Sequence, residues 1–143
     1  MPEAQVDRFM MKVLVDYPTE EEEFVIVERF TGSPRDVASV CTTDQLAELQ
    51  KACRKSYVDP ALMQYAVKIV AATRNPEKAG IPDVAPYILY GASPRATLSL
   101  IEGGRALAFL RGRDYVLPED VTDLVADVLR SEEHTSELQS RLH

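Results

Sequence analysis

Residues 91–112 read GASPRATLSLIEGGRALAFLRG, and this stretch predicts a long helix. Ser93 followed by Pro94 is a start signal, because a serine hydroxyl can accept from the first backbone N–H groups and proline fits the first helical position. Gly112 is a natural stop at the other end. The apolar face of this helix is formed by Leu100, Ile101, Leu107 and Ala108.

Two adjacent glycines, Gly103 and Gly104, lie in the middle of this predicted helix. A glycine in a helix interior costs on the order of 1 kcal/mol relative to alanine, because it loses more backbone freedom on folding. We expect a close contact with a neighbouring helix to compensate for this cost.

Four other predicted helices flank this stretch. Their start signals are Thr19 with Glu22, Thr42 with Gln45, Asp59 before Pro60, and Pro118. The first two are capping boxes, in which a threonine side chain and a glutamate or glutamine three residues later satisfy each other's backbone N–H groups. The last helix runs to about Leu129 with apolar residues at i, i+3, i+4, i+7 and i+8. Residues 75–90 hold three prolines and a glycine and predict a loop.

A short strand is predicted near the N-terminus, where residues 10–16 read MMKVLVD. Valines are frequent in this run and apolar residues alternate, which is typical of a strand over Met10–Val15. A lone strand cannot satisfy its backbone groups. We therefore expect a mainly α fold with one orphan strand. The strands that pair with it are expected to belong to a part of a larger protein that is missing from this sequence.

The charge balance is acidic, with 16 Lys and Arg against 23 Asp and Glu and a net charge of −7. That balance argues against a chain built mainly to bind nucleic acid or an anionic membrane. No apolar run approaches the roughly 18 residues that cross a bilayer, and residues 1–9 lack a secretory signal. We expect a cytoplasmic protein with no nucleic-acid partner and no membrane insertion.

Residues that commonly hold metals are few. Cys41 and Cys53 are the only cysteines, and their spacing fits neither a redox CxxC motif nor a zinc knuckle. The only histidines, His134 and His143, lie in a C-terminal stretch of doubtful origin. The sequence therefore predicts no metal site.

That C-terminal stretch begins with RSEEHTSELQS at residues 130–140. It resembles, codon for codon, the in-frame translation of a widely used sequencing adapter. The apolar rhythm of residues 121–129 also stops there. We expect residues 130–143 to be a non-native, adapter-derived tail and exclude them from functional reasoning, as an expression scar would be.

Two arginines stand in settings that suit an anion. Arg95 lies on the first turn of the helix that Ser93 and Pro94 begin, where the helix end carries partial positive charge and an arginine adds a planar donor fork. Arg8 lies in an Asp-Arg-Phe triplet just before the predicted strand. From the residues alone, both arginines fit an ordinary surface position as well as a binding site.

Three longer motifs resolve this ambiguity by resemblance. PEAQVDRF at residues 2–9, followed by YPTEEEE at 17–23, is similar to the segment that ends the ATPase core in the MoxR family of AAA+ ATPases. PYILYGASPRATLSL at 86–100 and ALAFLRGRDYVLPEDVTDLVADVL at 106–129 resemble the helical lid of the same family. The resemblance implies that residues 1–18 are the end of the core and residues 19–129 are the linker and lid.

The resemblance also implies roles for both arginines. Arg8 corresponds to the arginine finger, which acts in trans on ATP bound by a neighbouring subunit, and Arg95 corresponds to sensor 2, which contacts the ATP phosphates of its own subunit. No GxxxxGK[ST] phosphate-binding loop occurs in the sequence, so the chain alone should be inactive.

The parent protein implied by this resemblance uses ATP and Mg²⁺ in a homo-oligomeric ring, expected to be a hexamer. It remodels or matures partner proteins in the manner of a chaperone, with a von Willebrand factor A domain protein as an expected partner. Two alternatives stay open at this point. One is the lid of a magnesium-chelatase-type AAA+ subunit, and the other is a non-enzymatic helical interaction module.

Overall fold

A computed structural model describes residues 8–32, 37–88 and 90–130 of the chain. Within these residues the fold is mainly helical, as the sequence predicts. The α-helices are α1 Glu20–Thr31, α2 Thr43–Arg54, α3 Pro60–Arg74, α4 Pro94–Leu110, α5 Pro118–Thr122 and α6 Val125–Leu129. A 3₁₀ helix spans Pro82–Tyr87, inside the segment predicted as a loop. The only β pairing in the described ranges is one isolated parallel bridge between Tyr57 and Tyr115.

The predicted capping signals are confirmed. Thr19 and Thr42 begin α1 and α2 as complete capping boxes with Glu22 and Gln45. At the start of α3, Asp59 Oδ1 accepts from the Ala61 N–H at 2.7 Å. These bonds satisfy backbone donors that a helix start otherwise leaves unpaired.

Helix α4 is the centre of the packing, because α2, α3, α5 and α6 all contact it. Its buried positions recur every four residues or so, at Ala96, Leu100, Gly104 and Ala108. The facing side of α3 buries Leu62, Ala66 and Val70 at the same spacing. The core is completed by Val58, Ala92, Val116, Val121 and Val128.

The two glycines of α4 explain how its neighbours come so close. A Cβ added at Gly103 would lie 2.7 Å from Leu124 Cδ1 and 3.4 Å from Met10 Cε. A Cβ added at Gly104 would lie 3.2 Å from Val116 Cγ1. The expected close contact at these positions is therefore confirmed. Each glycine has only a hydrogen atom at the place where a Cβ would crowd a neighbouring side chain.

The predicted strand over Met10–Val15 is wrong in its secondary structure. These residues form neither strand nor helix. The Lys12 N–H instead donates to the Asp127 carbonyl oxygen of α6 at 2.8 Å. A strand requires a neighbouring strand for its backbone bonds, and no described residue provides one, so this segment bonds to a helix end.

The last predicted helix is interrupted. It divides into α5 and α6, with a turn at Asp123 and Leu124 between them. Leu124, in the turn between the two helices, packs against Gly103. Arg130 follows α6 and its guanidinium contacts the Asp127 carboxylate at 3.2 Å. The other residues assigned to the tail, 131–143, lie outside the described residues.

We expect Gly104→Val to lower the free energy of unfolding by about 1–3 kcal/mol, because the added methyl groups would overlap Val116 and Val121. Valine has a better helix propensity than glycine, so an effect in this direction would come from packing. Chemical denaturation monitored by circular dichroism measures it. The control is Leu110→Val, which introduces the same residue at an exposed position of α4. Equal stability of the two variants would contradict the close contact.

Candidate functional site

The start of α4 presents Arg95 at the surface. The Ser93 hydroxyl accepts from the Arg95 backbone N–H at 3.2 Å, and the Ala96 N–H donates to the Ser93 carbonyl oxygen at 3.0 Å. Pro94 has no N–H to offer. The backbone N–H groups of Arg95 and Ala96 are therefore both paired with Ser93, as expected of a serine cap. An anion at this end would be bound by the exposed Arg95 guanidinium, assisted by the helix dipole.

The segment leading into α4 is fastened to the last turn of α3. The buried Ala92 N–H donates to Thr73 Oγ1 at 2.8 Å, and the same hydroxyl donates to the Val70 carbonyl oxygen at 2.7 Å. Gly91 lies against Arg74, where an added Cβ would be 2.7 Å from Arg74 Cα. The start of α4 and the end of α3 therefore form one close-packed joint.

An apolar groove of about 490 Å³ lies beside this joint. Its walls include Ile69 of α3, Ile81 and Tyr87 around the 3₁₀ helix, and Leu129 of α6. Thr73 and Ala92 form part of the same wall, so the groove and the joint share residues. Sequence reasoning did not predict this groove, because its walls come from segments up to 60 residues apart (129 − 69 = 60).

The second predicted site residue, Arg8, is exposed in a turn at the beginning of the described chain. It precedes Met10 and Met11, whose methyl groups would lie 3.4 Å and 3.9 Å from a Cβ at Gly103. Gly103 is eight residues beyond Arg95, or ~12 Å along a helix. The segment that follows Arg8 therefore contacts α4 about two turns beyond Arg95, and no described contact brings the two arginines into one cluster.

A third polar group, which sequence reasoning missed, lies beyond the C-terminal end of α4. The carboxylate of Asp120 is completely buried and accepts from Arg113 at 2.6 and 2.7 Å and from Arg111 at 2.8 Å. It also accepts from the Leu117 N–H at 2.8 Å, which caps α5. The bonds from Arg113, the Leu117 N–H and Arg111 lower the pKa of Asp120 from 3.8 to about 2. The sequence signal for this cluster was Arg-Gly-Arg at residues 111–113 followed by Glu-Asp at 119–120. These charges meet only because the turn between α4 and α5 brings them together.

This group has a structural role. It joins the end of α4 to the beginning of α5 and shields a buried charge with two guanidinium groups. Arg111 also pairs with the half-exposed Asp123 at 2.6 Å. The cluster lies at the opposite end of α4 from Arg95, so it does not form part of an anion site there.

Comparisons with known proteins agree on one family. Residues 81–132, which include α4, α5 and α6, match the model of the AAA lid domain. Chaperone MoxR1 of Mycobacterium tuberculosis is 45% identical over 130 residues, which are 91% of this chain and 34% of that protein. Protein MoxR of Paracoccus denitrificans is 33% identical over 90% of this chain and 42% of its own length.

A solved structure agrees with the sequence relatives. The crystal structure of a proposed ATPase from Cytophaga hutchinsonii superposes with a TM-score of 0.84 at 35% identity, over 98% of this chain and 44% of that chain. The chain belongs to the MoxR family of AAA+ proteins. It spans between 34% and 44% of the length of the three relatives named here.

The family assignment confirms the resemblance drawn from the sequence motifs, together with a helical AAA+ lid as the fold. It also favours the MoxR interpretation over a magnesium-chelatase lid, because the relatives named above include a MoxR chaperone and a MoxR protein. The roles assigned to Arg8 and Arg95 stay predictions, as do the boundaries at residues 18 and 129.

The described residues hold no group of three or more His, Cys, Asp or Glu side chains that could bind a metal ion. In the same part of the chain, no helix combines the length and the apolar character that a membrane span requires.

The buried carboxylate gives a pH prediction. Because its pKa is lower in the folded state than the ordinary 3.8, Asp120 stabilises the fold above about pH 4, and this contribution is lost as the pH falls toward about 2. The shift corresponds to about 2 kcal/mol. We expect Asp120→Asn to lower the free energy of unfolding at pH 7 by about 3 kcal/mol, since it leaves two arginines without their carboxylate.

The control for this prediction is Asp123→Asn, whose carboxylate is half exposed and should contribute less than about 1 kcal/mol. Urea denaturation at pH 7 and between pH 4 and 2 compares the variants. The loss of stability with acid should be smaller in Asp120→Asn than in the unmodified chain. An identical acid profile for both would mean that Asp120 does not carry this charge effect.

Proposed function

We propose that the protein containing this chain is an ATP-hydrolysing AAA+ ATPase and that residues 19–129 form the lid that closes over its nucleotide. The observation that carries the proposal is the start of α4, where an exposed arginine extends from a capped helix end held by α3. An AAA lid match over residues 81–132 supports it, because the match includes this helix start. The part of the protein beyond this chain would bind ATP and Mg²⁺.

In this proposal Arg95 acts as sensor 2. Its guanidinium contacts the ATP phosphates within its own subunit and stabilises the charge that develops as the γ-phosphoryl group transfers. The rigid helix start gives the side chain a fixed origin. Because the backbone donors of this turn are already paired, we assign the response to the nucleotide to the Arg95 side chain.

Arg8 acts as the arginine finger in the same proposal. It reaches the nucleotide of a neighbouring subunit from the end of the ATPase core, which residues 1–18 complete. Arginine fingers contribute a factor of 10³–10⁵ to kcat where they have been measured. Arg8 is exposed, and the Met10 and Met11 side chains that follow it pack at Gly103; both features are compatible with presentation of Arg8 to a neighbour.

These two roles require a ring, and we propose a homo-hexamer. Each subunit would then contribute Arg95 to its own site and Arg8 to the next. The output would be the remodelling or maturation of other proteins in the cytoplasm, with a von Willebrand factor A domain protein as partner. Chaperone MoxR1, the 45% identical relative, carries the name of such an activity.

In the full-length protein, we expect Arg8→Ala and Arg95→Ala each to lower the kcat of ATP hydrolysis by a factor on the order of 10² or more, because each removes stabilisation of transition-state charge. A phosphate-release assay at saturating ATP measures this. Arg29→Ala serves as a control, since it removes another exposed arginine from the last turn of α1. An equally large loss of kcat in Arg29→Ala would show that the assay does not report specifically on Arg8 and Arg95.

Mixed rings separate the two roles. A subunit whose phosphate-binding loop is inactive can still donate Arg8, so mixing it with Arg8→Ala subunits should restore part of the activity. The same partner should not restore Arg95→Ala subunits, because their defect lies in their own lid. Rescue of Arg95→Ala alone, with mixed assembly confirmed, would mean that the roles are reversed.

A further inference from the structure

In the joint between α3 and α4, the hydroxyl of one side chain, Thr73, both donates and accepts a hydrogen bond. The Thr73 hydroxyl donates to the Val70 carbonyl oxygen at 2.7 Å and accepts from the Ala92 N–H at 2.8 Å. One group therefore links the last turn of α3 to the chain 19 residues later. Ala92 is only 2% exposed, so its N–H has little access to water as a substitute partner.

The position of this bond relative to Arg95 gives it consequences. Ala92 is followed immediately by the cap residue Ser93, whose hydroxyl accepts from the Arg95 N–H. Two hydrogen bonds, from Ala92 to Thr73 and from Arg95 to Ser93, therefore connect α3 to Arg95, together with the three peptide units of residues 92–95. Because Pro94 has a fixed φ, this short path has little freedom to change direction.

Backbone packing reinforces the same joint. Gly91 approaches Arg74 so closely that an added Cβ would lie 2.7 Å from the Arg74 Cα. Its backbone is not in the left-handed region, because Gly80 and Gly112 are the described glycines with positive φ. The reason for glycine at position 91 is therefore space, which allows α3 to approach the segment before α4.

We propose that Thr73 is a positioning residue for Arg95: its hydroxyl fixes the direction in which the start of α4 presents the guanidinium to the ATP phosphates. This inference rests on the proposed function, since it assigns a support to the sensor 2 role. Thr73 need not touch the nucleotide. Its effect on hydrolysis passes through the placement of Arg95, and small displacements of a catalytic cation are costly.

Substitutions at position 73 separate the hydroxyl from the rest of the side chain. Thr73→Val keeps the β-branched shape but removes both hydrogen bonds and leaves the buried Ala92 N–H unpaired. Thr73→Ser keeps the hydroxyl and loses only a methyl group. Thr31→Val is the matched control, because the Thr31 hydroxyl also donates to a backbone carbonyl, that of Val27 at 2.8 Å, in the last turn of a helix.

Steady-state ATP hydrolysis by the full-length protein should show the difference. We expect Thr73→Val to lower kcat by about tenfold with less than about twofold change in KM, since the lost interaction matters most in the transition state. Thr73→Ser should stay within about twofold of the unmodified protein. Thr31→Val should do the same, because the bonds of its hydroxyl in the described chain, to the Val27 and Glu28 carbonyl oxygens, stay within α1. Equal activity of Thr73→Val and the unmodified protein would overturn the proposal.

A double-mutant cycle with Arg95→Ala distinguishes positioning from general structural damage. If Thr73 acts through Arg95, adding Thr73→Val to Arg95→Ala should cause almost no further loss of kcat. A structural effect would instead lower kcat by the same factor in both backgrounds, and this result would overturn the inference while leaving the proposed function intact. A fully active Arg95→Ala protein would overturn both.

Gly91→Ala provides a second disturbance of the same joint, should Thr73→Val fail to fold. It forces the start of α4 away from Arg74 without touching the hydroxyl. We expect a similar loss of kcat and the same absence of additivity with Arg95→Ala. Thermal unfolding of each variant identifies the folded ones. Full activity of a folded Gly91→Ala protein, or a loss that adds to that of Arg95→Ala, would count against the inference.

Discussion

The fold depends on how closely other segments can approach α4. Apart from Leu100, its buried residues are small, two of them glycines, so that Val116, Val121 and Leu124 come within contact distance of the helix backbone. Apolar burial of this kind stabilises by roughly 25 cal/mol per Å² removed from water, and it is lost wherever the surfaces separate. The hydrophobic core of this small domain is therefore built around α4.

Both ends of α4 are held by polar groups, in contrast to its apolar middle. At the N-terminus, hydroxyl groups of Ser93 and Thr73 satisfy the backbone donors and link the helix to α3. Beyond the C-terminus, Arg111 and Arg113 enclose the buried Asp120 and join α4 to α5. A helix fixed at both ends moves as a unit, which suits a residue that must be presented to a nucleotide when a lid closes.

Much of this arrangement could be predicted from local sequence, because capping is a short-range effect. Thr19, Thr42, Asp59 and Ser93 each begin a helix where expected, and the glycine pair marks a close contact. The MoxR family could be identified because its motifs are long and contiguous.

Other features depend on contacts that local sequence does not encode. Residues 10–15 alternate as a strand does, yet their pairing depends on which neighbours are present, and here Lys12 bonds to the end of α6. The ion cluster around Asp120 requires a turn that only the fold supplies. The apolar residues of α1 gave no indication that the helix would have no buried residue in the described chain.

In the proposed function, α4 presents Arg95 to the nucleotide of its own subunit. The most direct measurement is a structure of the full-length ring with a non-hydrolysable ATP analogue and Mg²⁺, determined at a resolution that shows side chains. We expect the Arg95 guanidinium to lie within hydrogen-bonding distance, about 3 Å, of a phosphate oxygen bound by the same chain, with Arg8 directed at the neighbouring site. An occupied site in which the lid is closed and Arg95 points to solvent, or contacts only the neighbour's nucleotide, would contradict it.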